Sequence, residues 1–528
     1  MRDLHLPGRS VVHCVNGAAA TSHPLSTMAA IDMLRRGGNA IDAAVAACAV
    51  QCVVEPMSTG VGGDCFVLYA PGGGPDVIAL NGSGRAPAGL SAEYLSDRGI
   101  DSIGISSPHA VTVPGAVDAW ARLVADHGTR GLDEILVDAI EFAEQGFAVT
   151  PRVAIDWARS HDKLAADPGA RRIFLPGGRA PEEGARHRQP ELAGTLKAIA
   201  ARGRAGFYEG PVAEDIVDCL RSRGGVHTLD DFAAQTSEYV TPISTSYGDA
   251  EIVQIPPNGQ GITTLVMLNI LAGFDLAALD PVGAARLHLE TEAGRLAFRM
   301  RDSFLGDPAQ AEIPIARLLT SEYADELRGA IDPGRARPAE TSGDTVYRDT
   351  VYLTVVDRDR NAVSFINSLY YAFGSGLVAP RSGVVLQNRG AGFVVEPGHP
   401  NCVAPGKRPK HTIIPGMVLK DGRATLSFGV MGGDYQPVGH VHVLANLLDY
   451  GMDIQEALDC PRVFHRAGTL EVERGISPEV AAALADLGHA VECPDMPIGG
   501  GQAIAIDWQR GTFAAASDPR KDGCALGY

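Results

Sequence analysis

Residues 349–357, Asp-Thr-Val-Tyr-Leu-Thr-Val-Val-Asp, hold the sharpest change of character in this chain of 528 residues. The stretch before them, 332–349, is polar and rich in proline, glycine and arginine. From Thr350 onward β-branched and aromatic residues take over, and such residues are enriched in strands. We therefore expect an exposed tether that leads into a β-strand headed by Thr350. This boundary divides the chain into a large segment, 1–349, and a small segment, 350–528.

Thr350 has two interpretations. Threonine is common in strands for structural reasons alone. A cut between Asp349 and Thr350 would instead create an N-terminal threonine, whose hydroxyl can attack a carbonyl while its own α-amine takes the proton. An α-amine has an unperturbed pKa of about 7.7–8.0, so much of it is neutral near physiological pH. The residues that follow Thr350 decide between the two.

Composition and charge exclude several classes of partner. The chain is 45% hydrophobic and 20% charged, as is usual for a globular protein, and its net charge of −18 disfavours nucleic acid or an anionic membrane surface. No secretory signal pattern and no run of about 18 apolar residues is visible. The nine cysteines contain no CxxC pair and favour free thiols in a reducing compartment. We expect a cytoplasmic protein without nucleic-acid or membrane partners.

Strand and helix patterns alternate along the chain. Asn39 is predicted to cap a buried helix, 40–52, and the stretch 169–190 is predicted to be an exposed excursion. The glycine loop 55–66 does not fit a dinucleotide fingerprint, because its third glycine position is Cys65 and a strand follows it. Three strand pairs are predicted in the small segment: 351–356 with 362–366, 415–419 with 424–428, and 503–508 with 512–516.

A series of short motifs occurs in a fixed order. They are RGGNAIDAA (36–44), VPG (113–115), FLGDP (304–308), NAVSFINSLYYAFGSGLVAP (361–380), SGVVLQNRG (382–390), PGKRP (405–409), GVMGG (429–433) and ASDPRKDG (516–523). Together these motifs resemble the γ-glutamyltranspeptidase family of N-terminal nucleophile hydrolases, from about residue 10 to the C-terminus. The resemblance implies an α+β fold, a four-layer αββα sandwich. It also implies a precursor that cuts itself, with both fragments staying packed as one unit.

The resemblance assigns roles to individual residues. Thr350 matches the family's nucleophile, which places the self-cleavage between Asp349 and Thr350. Ser368 stands where the family has a threonine whose hydroxyl binds the nucleophile. Gly432 and Gly433 match the pair whose backbone N–H groups form the oxyanion hole. Without the resemblance, this glycine pair would be interpreted as a turn after a strand.

The positions that hold a γ-glutamyl donor in the family differ here. The family's asparagine, glutamine, aspartate and serine pair are replaced by Tyr370, Arg389, Gly392, His411 and Thr412. The arginine that pairs with the donor's α-carboxylate aligns at Ser83, with Arg85 two residues further on. The loss of the aspartate removes the anionic partner of a substrate ammonium, and Arg389 adds a cation. An acyl group that ends in a carboxylate should therefore bind better than a γ-glutamyl group.

These substitutions resemble the branch called γ-glutamyltransferase-like, which includes oxamate amidohydrolases and glutaryl-cephalosporin acylases. We predict that Arg389, Tyr370, His411, Thr412, Arg85 and Asp434 contact the substrate. Structural alternatives stay open for three of the positions. Arg389 can pair with Asp434 or Glu396, His411 can be a satisfied core histidine, and Tyr370 with Tyr371 can simply line a wall.

The expected protein is an amidohydrolase or acyltransferase that passes an acyl group from Thr350 to water or an amine. A true γ-glutamyl transferase or glutathione hydrolase is the first alternative, and an uncleaved, inactive binding relative is the second. No cofactor and no metal are expected, because His440 and His442 share no helix face and no Cys/His cluster has zinc spacing. The expected partners are a small acyl amide and the two precursor fragments. A dimer of fragment pairs is left open.

Overall fold

A computed structural model describes residues 8–338 and 350–528. The predicted tether, 332–349, is therefore described only as far as Pro338, and Asp349 lies outside the described residues. No helix in the described part of the chain is both long and apolar enough to cross a bilayer.

The strands of the described residues are numbered in chain order. They are β1 Val12–Cys14, β2 Ala18–Thr21, β3 Asp64–Ala70, β4 Ile78–Gly82, β5 Phe147–Ala148, β6 Arg186–His187, β7 Glu238–Val240, β8 Ile243–Tyr247, β9 Ala250–Gln254, β10 Val351–Val356, β11 Ala362–Ser368, β12 Gly416–Lys420, β13 Arg423–Met431, β14 Val463–Arg466, β15 Thr469–Val472, β16 Val491–Glu492, β17 Gly500–Asp507, β18 Thr512–Ser517 and β19 Cys524–Gly527. The three strand pairs predicted for the small segment are present as β10 with β11, β12 with β13, and β17 with β18.

The helices are numbered in the same way. They are α1 Pro24–Arg35, α2 Ala40–Val54, α3 Ala92–Ser96, α4 Ala116–His127, α5 Leu132–Ile135, α6 Val137–Gln145, α7 Pro151–Arg159, α8 His161–Ala166, α9 Pro168–Phe174, α10 Pro190–Arg202, α11 Ala205–Tyr208, α12 Pro211–Arg221, α13 Leu229–Ala234, α14 Gly261–Leu271, α15 Ala284–Phe304, α16 Ile315–Leu318, α17 Ser321–Arg328, α18 Gln436–Leu448, α19 Ile454–Asp459 and α20 Pro478–Asp486.

Two antiparallel sheets of seven strands each form the centre of the molecule. Sheet I has the order β1-β18-β17-β13-β12-β9-β8, and sheet II has the order β19-β2-β10-β11-β3-β4-β7. Each sheet takes strands from both the large and the small segment. The two segments are therefore interleaved in one folded unit.

Side chains that alternate between the two faces of each strand show that helices and sheets form four layers. In β10, Leu353 and Val355 pack on the α2 side of sheet II, whereas Tyr352 and Val356 belong to the core between the two sheets. On the far side of sheet I, its outward residues pack against α14, α15 and α18. The α+β fold with αββα layers is confirmed. The helix α2 is buried along its whole length and is capped by Asn39, as predicted.

The prediction for residues 169–190 is wrong in part. Residues 168–174 form α9, in which Ile173 and Phe174 are buried, and Trp157 Nε1 donates a 2.8 Å hydrogen bond to the Phe174 carbonyl. The composition of this stretch is dominated by arginine, proline and glycine, so the short apolar segment that packs it against the core was not recognised.

Candidate functional site

Thr350 lies immediately before β10 and is 2% exposed. Val351 pairs with Asn367 of β11, so Thr350 stands opposite Ser368. The two hydroxyl oxygens are 3.0 Å apart, and Ser368 Oγ also accepts a 2.9 Å hydrogen bond from Tyr370 N–H. Ser368 is thus positioned to orient the Thr350 hydroxyl, in the relation that the family resemblance implies.

The strand β10 faces β13 of sheet I, the strand that leads to the glycine pair. Thr350, Tyr352 and Thr354 alternate onto the same face of β10, which points toward sheet I. Thr354 Oγ1 lies 2.7 Å from Ser427 Oγ of β13, and the Tyr352 ring packs against the β13 backbone two residues further on. If both strands keep this register, the next two-residue step sets Thr350 against Met431, the last residue of β13, and Gly432 begins the turn that follows.

The turn at Gly432 and Gly433 requires glycine. Their φ angles are 125° and 63°, in the region that residues with a side chain rarely adopt. A Cβ on Gly432 would also lie 3.2 Å from the Gly499 Cα. The turn leads directly into α18, so its N–H groups lie at the positive end of a helix. Such a turn can offer backbone donors to a developing oxyanion.

Arg389 is fully buried, and two of its contacts are with uncharged side chains. Its Nη1 donates a 2.7 Å hydrogen bond to Thr412 Oγ1, and its guanidinium carbon lies 3.9 Å from the centre of the Tyr370 ring. Asp434, offered above as a possible partner of Arg389, accepts a 2.8 Å bond from Arg301. Tyr370 therefore connects the Ser368 hydroxyl, through its backbone, to the Arg389 guanidinium, through its ring.

His411 is buried beside Arg389 and has both ring nitrogens occupied. Its Nε2 is 3.0 Å from Asp64 Oδ2, and its Nδ1 accepts a long, 3.4 Å bond from Ile413 N–H. Burial, assisted by the Arg389 cation and opposed by Asp64, lowers the pKa of His411 to about 4. The geometry matches the structural alternative for His411, a neutral histidine that is satisfied within the protein.

Asp64 belongs to this site and was missed in the sequence. It pairs in register with Ser368, and its Oδ1 accepts bonds from Gly84 N–H at 2.9 Å, from Gly115 N–H at 3.1 Å and from Gln387 Nε2 at 2.8 Å. Thr350, Ser368 and Asp64 thus form one row across sheet II. A lone acid at the start of an otherwise apolar strand was the available signal.

The glycine loop before Asp64 serves packing. A Cβ on Gly63 would lie 2.3 Å from the Ser368 carbonyl oxygen, so only glycine permits the loop to approach the end of β11. This close approach explains why the loop is rich in glycine although its spacing does not fit a nucleotide-binding motif.

Gln260 and Arg301 connect Thr412 with the turn at Gly433 and Asp434. Neither residue was predicted from the sequence. Gln260 Nε2 donates to the carbonyls of Thr412 at 2.8 Å and Gly433 at 3.1 Å. Arg301 Nη1 donates to Gln260 Oε1 at 2.9 Å and to Asp434 Oδ1 at 2.8 Å. Gln260 lies in the loop between β9 and α14, and Arg301 comes three residues before the FLGDP motif, which was the only hint in the sequence.

Arg85 stands in a different cluster. Its Nη2 donates a 2.7 Å bond to Glu238, its Nη1 donates a 3.1 Å bond to the Gly406 carbonyl, and Asp307 lies 3.8 Å away. None of its described contacts is with Thr350 or Arg389. The geometry gives the predicted substrate role of Arg85 no support, because acidic partners already compensate its charge.

A cavity of about 550 Å³ opens beside the glycine turn. Its wall includes Gly432 and Asp434 from the site, and it carries charges of both signs: Arg159, Arg466, Asp156, Glu471, Glu492 and Asp495. A pocket of this size suits a small ligand with polar groups.

His411 predicts a measurable pH dependence of stability. Its folded pKa of about 4 lies below the unfolded value of about 6.5, so the unfolded chain binds the extra proton. The free energy of unfolding therefore has its full value above pH 6.5 and decreases as the pH falls toward 4. The loss that is due to His411 reaches about 3 kcal/mol. Between pH 7 and 4.5, we expect the melting temperature of His411→Gln to decrease less than that of the wild type. Parallel melting curves for the two proteins would contradict this expectation.

Comparison with known proteins places this geometry in a family. The family model described as gamma-glutamyltranspeptidase matches residues 26–528. The chain is 39% identical over 519 residues to the glutathione hydrolase-like YwrD proenzyme of Bacillus subtilis (strain 168), covering 96% of this chain and 97% of that protein. It is 37% identical over 528 residues to the oxamate amidohydrolase proenzyme of Klebsiella pneumoniae subsp. pneumoniae, covering 97% of this chain and 98% of that protein.

A solved structure agrees over the whole length. The cephalosporin acylase from Bacillus halodurans superposes with a TM-score of 0.94 at 38% identity, covering 100% of this chain and 98% of that one. Because the relatives are enzymes with proenzyme forms, the inactive binding alternative has no support. The chain therefore belongs to the gamma-glutamyltranspeptidase family and is one of its self-processing amidohydrolase and acyltransferase enzymes.

Proposed function

We propose that this enzyme uses Thr350 as its nucleophile and prefers amides whose acyl group carries a carboxylate. The observation that carries the proposal is the 3.0 Å contact of the Thr350 and Ser368 hydroxyls at the head of β10, linked through Tyr370 to Arg389. These contacts link the hydroxyl that we propose as nucleophile to the guanidinium that we propose as carboxylate partner.

Maturation is the first reaction. The Thr350 hydroxyl attacks the carbonyl carbon of Asp349, and the acyl group moves from the Thr350 nitrogen to its oxygen. This shift frees the α-amine of Thr350. Water then hydrolyses the ester, which gives Asp349 a free α-carboxylate and restores the Thr350 hydroxyl. Ser368 orients the attacking hydroxyl through its 3.0 Å contact.

Turnover repeats the same chemistry on a substrate. The Thr350 hydroxyl attacks the amide carbonyl, and its own α-amine accepts the hydroxyl proton. Backbone N–H groups at Gly432 and Gly433 stabilise the oxyanion, a contribution of about 10²–10³ in rate for one donor. The amine leaves with the proton, and water or a second amine then takes the acyl group from the Thr350 ester.

Arg389 supplies the preference for a carboxylate. A guanidinium binds a carboxylate through two parallel hydrogen bonds, and the Tyr370 ring below it holds its plane. The Asp434 carboxylate is bonded to Arg301, so it is a weak partner for a substrate ammonium. The name of the Klebsiella relative supports this proposal, because oxamate is itself an amide that carries a carboxylate.

A panel of amides on the processed enzyme tests the proposal. A glutaryl amide and a γ-glutamyl amide of the same aromatic amine differ by one ammonium group, and oxamate adds a short acyl group. We expect the glutaryl amide or oxamate to have the highest kcat/KM. If the γ-glutamyl amide is cleaved fastest, the enzyme is a glutathione hydrolase or γ-glutamyl transferase that holds its donor through other residues.

Two further expectations accompany the proposal. We propose a cytoplasmic location for the protein because its cysteines favour free thiols in a reducing compartment, and cell fractionation can test this. Light scattering can test whether processed units pair into dimers.

A further inference from the structure

A buried group of metal-binding side chains lies outside the site described above. His288 and Glu292 are one turn apart on α15 and project from the same face, and His489 follows α20. One ligand atom of each lies within 4.8 Å of the other two. His288 and Glu292 are fully buried and His489 is 6% exposed.

Hydrogen bonds set the orientation of His288. Its Nε2 lies 2.8 Å from the Asp332 carbonyl oxygen, which can only accept, so this nitrogen carries the proton. The lone pair of Nδ1 then faces His489 Nε2 at 2.8 Å. Metal-binding histidines usually donate their second ring N–H to a carbonyl or carboxylate in this manner.

Glu292 completes a set of three ligands. Its Oε1 accepts a 2.7 Å bond from Arg295, and its Oε2 accepts a longer, 3.3 Å bond from the Arg337 N–H. Oε2 can therefore turn to an ion while Oε1 keeps its partner. Two imidazoles and one carboxylate are ligands that Zn²⁺ prefers, with a fourth position left for water.

We propose that His288, Glu292 and His489 form a binding site for a divalent transition metal, with Zn²⁺ as the matching ion. Binding requires the tautomer of His489 that carries its proton on Nδ1, because Nε2 must offer its lone pair to the ion. Asp332, whose carbonyl oxygen contacts His288, is exposed, so the group lies close to the protein surface.

The site joins the two segments. His288 and Glu292 come from the large segment and His489 from the small one, and beside them Ala336 N–H donates a 2.7 Å bond to the Leu487 carbonyl. A bound ion would fasten the end of the described large segment to the small segment. This fastening role rests on the proposed cleavage, whereas metal binding itself does not.

Metal uptake by the full chain is the test. After chelation and dialysis, the wild type should bind one Zn²⁺ per chain, and Co²⁺ in its place should show the visible absorption of a tetrahedral site. His489→Gln keeps an N–H that can donate to His288 but loses the ligand, so its affinity should fall about 100-fold or more. His13→Gln, at an exposed histidine, is the matched control and should bind as the wild type does.

The outcomes separate this proposal from the proposed function. Equal Zn²⁺ affinity in His489→Gln and the wild type overturns it, and so does a wild type that takes up no Zn²⁺. The titration is repeated on the uncut Thr350→Ala chain, where uptake does not require cleavage. A rise in melting temperature with Zn²⁺ that is absent in His489→Gln supports the site even if the enzyme fails to process itself.

Discussion

Thr350→Ala should accumulate as one uncut chain of 55.3 kDa, and its amide hydrolysis should fall by a factor on the order of 10⁴–10⁶. Alanine has no hydroxyl to attack the Asp349 carbonyl, so no ester forms and no α-amine is released. Both roles of the residue are lost in one change. Intact mass spectrometry after long incubation detects the cut, and amide turnover measures the activity.

Two control variants isolate the hydroxyl of Thr350 from its packing. Thr350→Ser keeps the hydroxyl and should still be cut into 1–349 and 350–528. Thr354→Ala removes a hydroxyl from the same face of β10, one that contacts Ser427 at 2.7 Å, and should also be cut. If the Thr350→Ala chain is cut after residue 349, another group is the nucleophile. The same conclusion follows if Thr354→Ala is the variant that is not cut while Thr350→Ala is cut.

The layers of the fold could be predicted because their signals are local. The run of β-branched and aromatic residues that begins at Thr350 and the apolar surface of α2 each specify one buried element. Residues 169–190 show the limit of such signals. Their composition is typical of a surface excursion, yet Ile173 and Phe174 are buried by packing against parts of the chain that are distant in sequence.

The candidate site could be predicted only where a motif or a change of composition marks it. Ser368 and the glycine pair lie in motifs, whereas Thr350 is marked by the change of composition at the start of its strand; the structure brings Thr350 and Ser368 into contact. Asp64, Gln260 and Arg301 each contact a residue that is 347, 152 and 133 positions away, respectively, so no spacing along the chain reveals them. The His288, Glu292 and His489 group was missed for the same reason, because a spacing rule for zinc ligands cannot detect a histidine about 200 residues away.

Arg389→Gln should reverse the preference between two matched substrates. For a glutaryl amide, loss of the guanidinium removes a buried charge-assisted partner of the carboxylate, and kcat/KM should fall about 10²-fold. A γ-glutamyl amide also carries an ammonium, which the wild-type guanidinium repels, so its kcat/KM should fall less or rise. The ratio of the two constants on one variant is the measurement, because a loss of folded protein cancels in it.

Two matched variants show whether the charge of Arg389 or its shape is responsible. Arg389→Lys keeps the positive charge but not the planar fork that stacks on Tyr370 and bonds Thr412, so it should retain part of the preference. Arg358→Gln makes the same change at an exposed arginine and should leave the ratio unchanged. If Arg389→Gln also leaves the ratio unchanged, Arg389 is a structural residue held by Thr412 and Tyr370. The carboxylate would then be bound elsewhere, and the arginines of the cavity beside Gly432 would be the next positions to replace.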